Sequence, residues 1–301
     1  MKVDFFLIGA PRSGTNAMFS YLKQHPNICF SEPKQPEFFS TDLKSTAPRC
    51  TDVDEYHKIF FPHYDVSVHS VVAEGSVFYL YSEKAVDNIL VYNENAKFLV
   101  MLRNPVEMAY SWYSLTYYGG QENISTFEEA WFLQGIRQEG RSIPKTCIEP
   151  KLLQYKKLCS TGSQVASLLK KVRRENICFV VFDDFKRDPR CEYLRVVDFL
   201  ALPRYESEGG FAQENANREW RSPWVRKLYQ LLVGAVKLRA SLGIKKGFGI
   251  SSYLTRFLPV KQQKRIPLSP RFRKKMQEEF RKDLLLLSEL LERDLSFWME
   301  E

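Results

Sequence analysis

The sequence predicts an α/β fold, a central parallel sheet flanked by helices and followed by a helical C-terminal part, and three observations carry that expectation. Val3–Ile8, Val71–Ala73, Lys97–Leu102 and Ile177–Phe182 are short apolar runs rich in β-branched and aromatic residues, nearly continuous rather than alternating. Strands buried on both faces have that pattern. Helical segments fall between and after them at Thr15–Gln24, Ser82–Tyr92, Pro105–Tyr118, Thr126–Arg137 and Pro189–Leu200, the alternation expected of a parallel sheet wrapped by helices. Beyond Leu202 the pattern is purely helical, through Pro223–Leu242 and Pro270–Phe297, with the glycine-rich link Gly243–Gly249 between them. A chain of 301 residues, 44% hydrophobic, can bury one large core. We therefore expect a single domain over 1–301, with 1–202 as the α/β core and 203–301 as its helical extension.

Helix starts are marked by capping side chains. Ser125 with Glu128 has capping-box spacing, and Asp188-Pro189, Ser222-Pro223 and Ser269-Pro270 each put a capping residue before a proline at the first helical position.

Composition narrows the function classes. The net charge of +8 suggests an anionic partner. Its densest runs, Lys170–Arg174 and Arg271–Lys275, fall on expected helices, where a solvated face explains them better than nucleic acid does. Six scattered cysteines without a C-x-x-C pair fit reduced thiols, and His25, His57, His63 and His69 lack metal-ligand spacing, so no metal site is expected. No stretch has the length and apolarity of a membrane span, and the N-terminal run has no cleavage pattern, which points to a cytoplasmic protein without membrane partners.

The most informative segment is FFLIGAPRSGTNAM, Phe5 to Met18, a strand that breaks at Gly9 and continues as a helix near Thr15. Backbone N–H groups and the helix dipole at such a turn form a phosphate cradle. Gly9 and Gly14 have P-loop spacing, but Thr15-Asn16 follows where a nucleotide triphosphatase carries lysine and a hydroxyl residue. Arg12 within the loop supplies a cation instead; the alternative is an ordinary strand-to-helix turn.

A second constellation lies at the end of Lys97–Leu102, where the chain runs into Arg103-Asn104-Pro105, with Asn104 placed to cap a helix and Pro105 suited to its first position. Ser111 follows about two turns in. Arg103 either binds an anion or pairs locally with Glu107. Two anion sites on one sheet suit a ligand with phosphates at both ends.

GAPRSGTNAMFSYLKQHPNI resembles the 5′-phosphosulfate loop of the sulfotransferases that use 3′-phosphoadenosine 5′-phosphosulfate (PAPS), and LRNPVEMAYSWY resembles their 3′-phosphate motif. The likeness extends through KQPEFF, AEGSVFYL, FVVFDDF and the terminal ERDLSFW. It implies a P-loop-like three-layer fold and metal-free sulfuryl transfer from PAPS, with 3′-phosphoadenosine 5′-phosphate (PAP) as product. It further implies that Ser13, Gly14, Thr15 and Asn16 hold the 5′-phosphate, that Arg12 stabilises charge on the bridging oxygen, and that Arg103 with Ser111 holds the 3′-phosphate. Arg12 stands where many members have lysine; arginine keeps its charge and cannot donate a proton as lysine can, so its expected role is electrostatic.

The general base is less determined. Similar sulfotransferases carry glutamate at the second position of K-E-P-x-F-F, where this chain has Gln35. Glu37, two residues on, and Glu74, ending an expected strand, are the candidate catalytic carboxylates; Glu32 and His69 are the others considered. The acceptor is expected to be a small molecule with a hydroxyl or nitrogen, such as a natural product; a guanidinium alkaloid toxin is one example. Trp112, Tyr113, Tyr117, Tyr118 and Trp131 either welcome a flat or cationic acceptor or belong to the core. Two other functions are open: a phosphoryl-transferring P-loop kinase using Phe179–Asp184, and a non-catalytic nucleotide-binding protein, motivated by Gln35.

Overall fold

The computed structural model describes residues 1–45, 50, 52–205, 210–211, 218–220, 260–262 and 266–300. The expected helix Pro223–Leu242, the cap Ser222-Pro223 and the link Gly243–Gly249 lie outside the described residues. The chain divides into two compact units, one of Met1–Ala109, Lys156–Glu214 and Arg273–Glu301, the other of Tyr110–Tyr155 and Asn215–Phe272.

In the first unit the chain runs β1 (Phe5–Gly9), α1 (Thr15–Leu22), β2 (Ile28–Phe30), α2 (Val53–Phe60), β3 (Val71–Glu74), α3 (Ala85–Tyr92) and β4 (Lys97–Leu102). After the excursion into the second unit it returns through α8 (Thr161–Leu169), β5 (Ile177–Val181), α9 (Phe182–Arg187) and α10 (Pro189–Phe199). The five strands pair in the order β2-β3-β1-β4-β5, every neighbouring pair parallel. β1 is central because its five residues are all buried, and a strand covered on both faces needs no polar alternation. Successive side chains supply the two faces. Phe5, Leu7, Leu99, Met101 and Val180 join Met18 and Leu22 of α1 and Val196 and Val197 of α10 in one core layer. Phe6 points the other way, onto Phe98 and Phe39. No described helix is long and apolar enough to cross a membrane.

In the second unit lie α5 (Phe127–Phe132), α6 (Gln134–Gln138) and an antiparallel pair, β6 (Arg218–Trp220) with β7 (Val260–Gln262). Among the described residues, three further helices hold residues of both units: α4 (Pro105–Tyr118), α7 (Tyr155–Cys159) and α11 (Pro270–Leu290).

Several boundaries differ from expectation. The β6–β7 pair means that the region beyond Leu202 is not purely helical. The expected helix Thr126–Arg137 is two helices, meeting at Leu133. Its capping box is Thr126 with Glu129, not Ser125 with Glu128: the sequence offers the pattern in both registers, and Thr126 is the residue with extended backbone whose side chain accepts from the Glu129 N–H. Ser82 precedes α3 rather than starting it, its hydroxyl accepting from the N–H groups of Lys84 and Ala85. The caps at Asp188 and Ser269 hold, accepting from the N–H groups of Cys191 and Phe272. The strand β2 was hidden by its three-residue length.

Candidate active site

In a parallel sheet the loops that leave the strand C-termini share one edge, and ligands collect there. β1, β3 and β4 are adjacent, so the loop after Gly9, the residue Glu74 and the residue Arg103 all belong to that edge. His69 precedes β3 and belongs to the opposite edge, where its ring stacks on Tyr64.

The loop after β1 is held at both ends. The Ala10 N–H donates to the Met101 carbonyl of β4. Gly14 caps α1 with φ +86°, and a Cβ there would come within 3.1 Å of the Phe182 ring, so both conformation and space call for glycine. Arg12 also has positive φ, at 64°. The first N–H groups of α1 have no intrahelical acceptor, as at any helix start. Ser13 is fully buried with its hydroxyl directed at the Met108 sulfur, while its backbone N–H belongs to the turn that opens α1. Thr15 is buried and Asn16 exposed.

Arg103 joins this loop directly. Its guanidinium donates to the Arg12 carbonyl at 2.7 Å and lies 4.6 Å over the Phe182 ring. Glu107, the local partner considered for it, pairs with Arg273. Asn104 caps α4 as expected, accepting from the Val106 N–H, and its amide donates to the Trp298 carbonyl. Ser111, on the part of α4 that belongs to the second unit, is buried. Asp183 accepts from the Trp298 indole, and Asp184 pairs with Arg187 and Arg293.

The candidate carboxylates differ sharply. Glu74 is completely enclosed; Tyr56 donates to one oxygen and Ser76 to the other at 2.5 Å. Burial pushes its carboxyl up to about 7, against the pull of the Ser76, Tyr56 and Tyr79 hydroxyls. Glu37 is partly exposed, and desolvation raises its carboxyl above the ordinary value while a Ser45 hydrogen bond opposes. Its N–H donates to Ser76 Oγ at 3.0 Å, and Phe39 two residues on donates to Tyr79 Oη at 3.1 Å. Glu32 is paired with Lys23 on the surface, which holds its carboxyl below the usual range.

Sequence reasoning gave no role to Tyr56, Ser76, Tyr79 or Lys34, although Lys34, Ser76 and Tyr79 lie within the quoted runs KQPEFF and AEGSVFYL. Of the aromatic cluster, Trp112, Tyr113 and Trp131 are buried in the second unit, where Trp112 donates to the Leu152 carbonyl and Tyr113 to that of Ile124. For those three, the core reading holds. The six cysteines form no disulfide.

Arg12, Lys34 and Arg103 bring cations, and the start of α1 brings N–H groups, to one edge, a donor set suited to anions such as the phosphates of a bis-phosphorylated nucleotide.

Residues 2–218 match the family model described as sulfotransferase domain. The structure resembles a crystal structure of a sulfotransferase from Alicyclobacillus acidocaldarius with TM-score 0.70, at 23% identity and 99% coverage of both chains. In sequence it is 27% identical over 145 residues to the membrane-associated sulfotransferase kil1 of Dictyostelium discoideum, covering 48% of this chain and 29% of that protein. It is 29% identical over 109 residues to the human bifunctional heparan sulfate N-deacetylase/N-sulfotransferase 3, covering 36% of this chain and 12% of that protein. These matches thus span less than a third of the curated relatives. The chain belongs to the sulfotransferase domain family of transferase enzymes.

Proposed function

We propose that this protein transfers a sulfuryl group from PAPS to a hydroxyl or nitrogen of a small-molecule acceptor. The observation that carries the reading is the bond from Arg103 to the Arg12 carbonyl, which sets the residue of the second expected phosphate motif against the first phosphate loop. The N–H groups of Ser13, Gly14, Thr15 and Asn16 would hold the 5′-phosphate, and Arg103 the 3′-phosphate, with Ser111 assigned on the family resemblance alone. Arg12 would neutralise charge gathering on the bridging oxygen as the sulfur–oxygen bond breaks and that oxygen keeps the electron pair.

Glu37 is the carboxylate we favour for taking the acceptor's proton. It combines exposure with a raised carboxyl, whereas Glu74 has no open face and both its oxygens are engaged. Glu74 then acts at one remove, fixing Ser76, which receives the Glu37 N–H. The kinase reading is disfavoured because Asp183 and Asp184 are committed to Trp298, Arg187 and Arg293. A guanidinium-bearing natural product remains one member of an acceptor panel, without support from the buried aromatic residues.

The test is ligand-dependent melting followed by turnover. PAP is expected to raise the melting temperature and ATP with magnesium to raise it far less, and PAPS with a panel of alcohols, phenols, amines and guanidines is expected to give a sulfated product by mass spectrometry. Equal stabilisation by both nucleotides defeats the donor assignment; PAP binding without turnover on any acceptor favours the non-catalytic reading that Gln35 motivates.

A further inference from the structure

Lys34 reaches the donor loop from a different part of the chain. Its ammonium donates to Asn16 Oδ1 at 2.6 Å and to Thr15 Oγ1 at 3.3 Å, on the first turn of α1, and stands 5.4 Å from the Phe19 ring centroid. The stem is accommodated by Gly75, where a Cβ would sit 3.1 Å from Lys34 Cε and 3.2 Å from Cγ. Both oxygens it touches belong to residues assigned to the 5′-phosphate. An ammonium has three donors on a flexible stem, so it can keep Asn16 and still contact an anion at the cradle.

The same segment carries Glu37, and it is braced at several points. Ser31 Oγ donates to the Lys34 carbonyl, the Glu37 N–H donates to Ser76 Oγ, and the Phe39 N–H donates to Tyr79 Oη. Ser76 in turn donates to the enclosed Glu74. Lys34 and Glu37 thus lie on one short run held by these bonds.

We infer that Lys34 is a donor-binding residue of the 5′-phosphate site, and that through it an occupied site orders the segment bearing Glu37. This rests on the donor reading proposed above. Lys34 provides a cation that can rearrange on a flexible stem, where Arg12 provides one built into the loop.

Calorimetric titration of the full chain with PAP, adenosine 5′-monophosphate and adenosine 3′-monophosphate separates the outcomes. Lys34→Met is expected to weaken the two ligands that carry a 5′-phosphate by roughly 10- to 100-fold, the range for a hydrogen bond to a charged group, and to leave the 3′-monophosphate unchanged. Lys34→Arg should recover part of the loss, and Lys58→Met, which removes an equal charge from an exposed position of α2, should change nothing. Amide exchange over residues 36–42 should slow on PAP binding in the wild type and not in Lys34→Met. Equal losses for all three ligands, or none, overturn the inference; equal slowing of exchange in both proteins overturns its coupling half. A wild-type chain that binds none of the ligands overturns the donor reading itself and this inference with it.

Discussion

Glu122 and Glu74 are both fully buried, one in each compact unit, and opposite surroundings hold them. Glu122 receives both terminal nitrogens of Arg137, at 2.6 and 2.8 Å, together with the Tyr155 hydroxyl and the N–H groups of Asn123 and Ile124. Burial alone would raise its carboxyl, but the Arg137 and Tyr155 hydrogen bonds outweigh it and the carboxyl lies below its usual value. Glu74 is met by hydroxyls, and its carboxyl rises to about 7. Enclosure alone therefore does not decide a carboxylate's state; a bidentate guanidinium fixes the charge, whereas hydroxyls leave it titratable near neutrality.

Glu37 gives the comparison its largest expected effect, because it is a raised carboxyl with an open face. Glu37→Gln should lower turnover by about 10²- to 10⁴-fold with PAP affinity nearly unchanged, and should remove an acidic limb of the rate profile displaced above the ordinary carboxylate range. Undiminished turnover would return the base assignment to Glu74 or to an acceptor that needs none.

Arg137→Met tests the other extreme. It strands the Glu122 charge in a buried site and should cost about 3–5 kcal/mol in urea unfolding, the range for breaking one partner of a buried pair. A loss under 1 kcal/mol would mean that Glu122 is not held as a charge by its partner.

The pH dependence separates the two carboxylates by sign. Glu122, lowered in the fold, contributes stability above its unfolded value of about 4.5, lost as pH falls through the folded value. Glu74, raised in the fold, contributes stability below about 4.5 that is lost as pH climbs through about 7. Relative to wild type, Glu74→Gln should therefore gain about 3 kcal/mol between pH 4.5 and pH 8, whatever its cost at the acid end. A difference that does not change with pH would show that Glu74 titrates normally.

The unequal legibility of these features has a physical cause. β4 and α4 were readable to the residue because an apolar run, an Asn cap and a proline coincide in Lys97–Pro105. The loop at Gly9–Asn16 was readable because its glycines and its change of period are local. Glu74 was readable as a strand end but not as an enclosed group, since Tyr56 lies 18 positions earlier and arrives only through tertiary packing. Lys34 is 18 and 19 positions from the oxygens it touches, and nothing in K-Q-P-E-F-F states that its stem passes over Gly75. Thr126 shows a smaller failure, where two capping registers one residue apart were chemically equivalent until the backbone chose one.

The smallest and sharpest contrast is between two tyrosines that do the same thing to different carboxylates. Tyr155 donates to Glu122 and Tyr56 to Glu74, both buried, and replacing either by phenylalanine deletes one hydroxyl with little change of shape. At Tyr155 the carboxylate keeps Arg137 and two backbone donors, so its charge persists and the cost, about 1–2 kcal/mol, should be level from pH 5 to pH 8. At Tyr56 the lost donor favours the neutral carboxyl, so the cost should be about 1 kcal/mol at pH 5, where Glu74 is already mostly protonated, and should grow as pH passes 7 and an ionised carboxylate is left with fewer donors. Urea unfolding of the two variants at pH 5, 6, 7 and 8 reads both slopes. Parallel, flat profiles would show that Glu74 keeps one charge state from pH 5 to pH 8, and would overturn its reading as a carboxylate that hydroxyls leave titratable near neutrality.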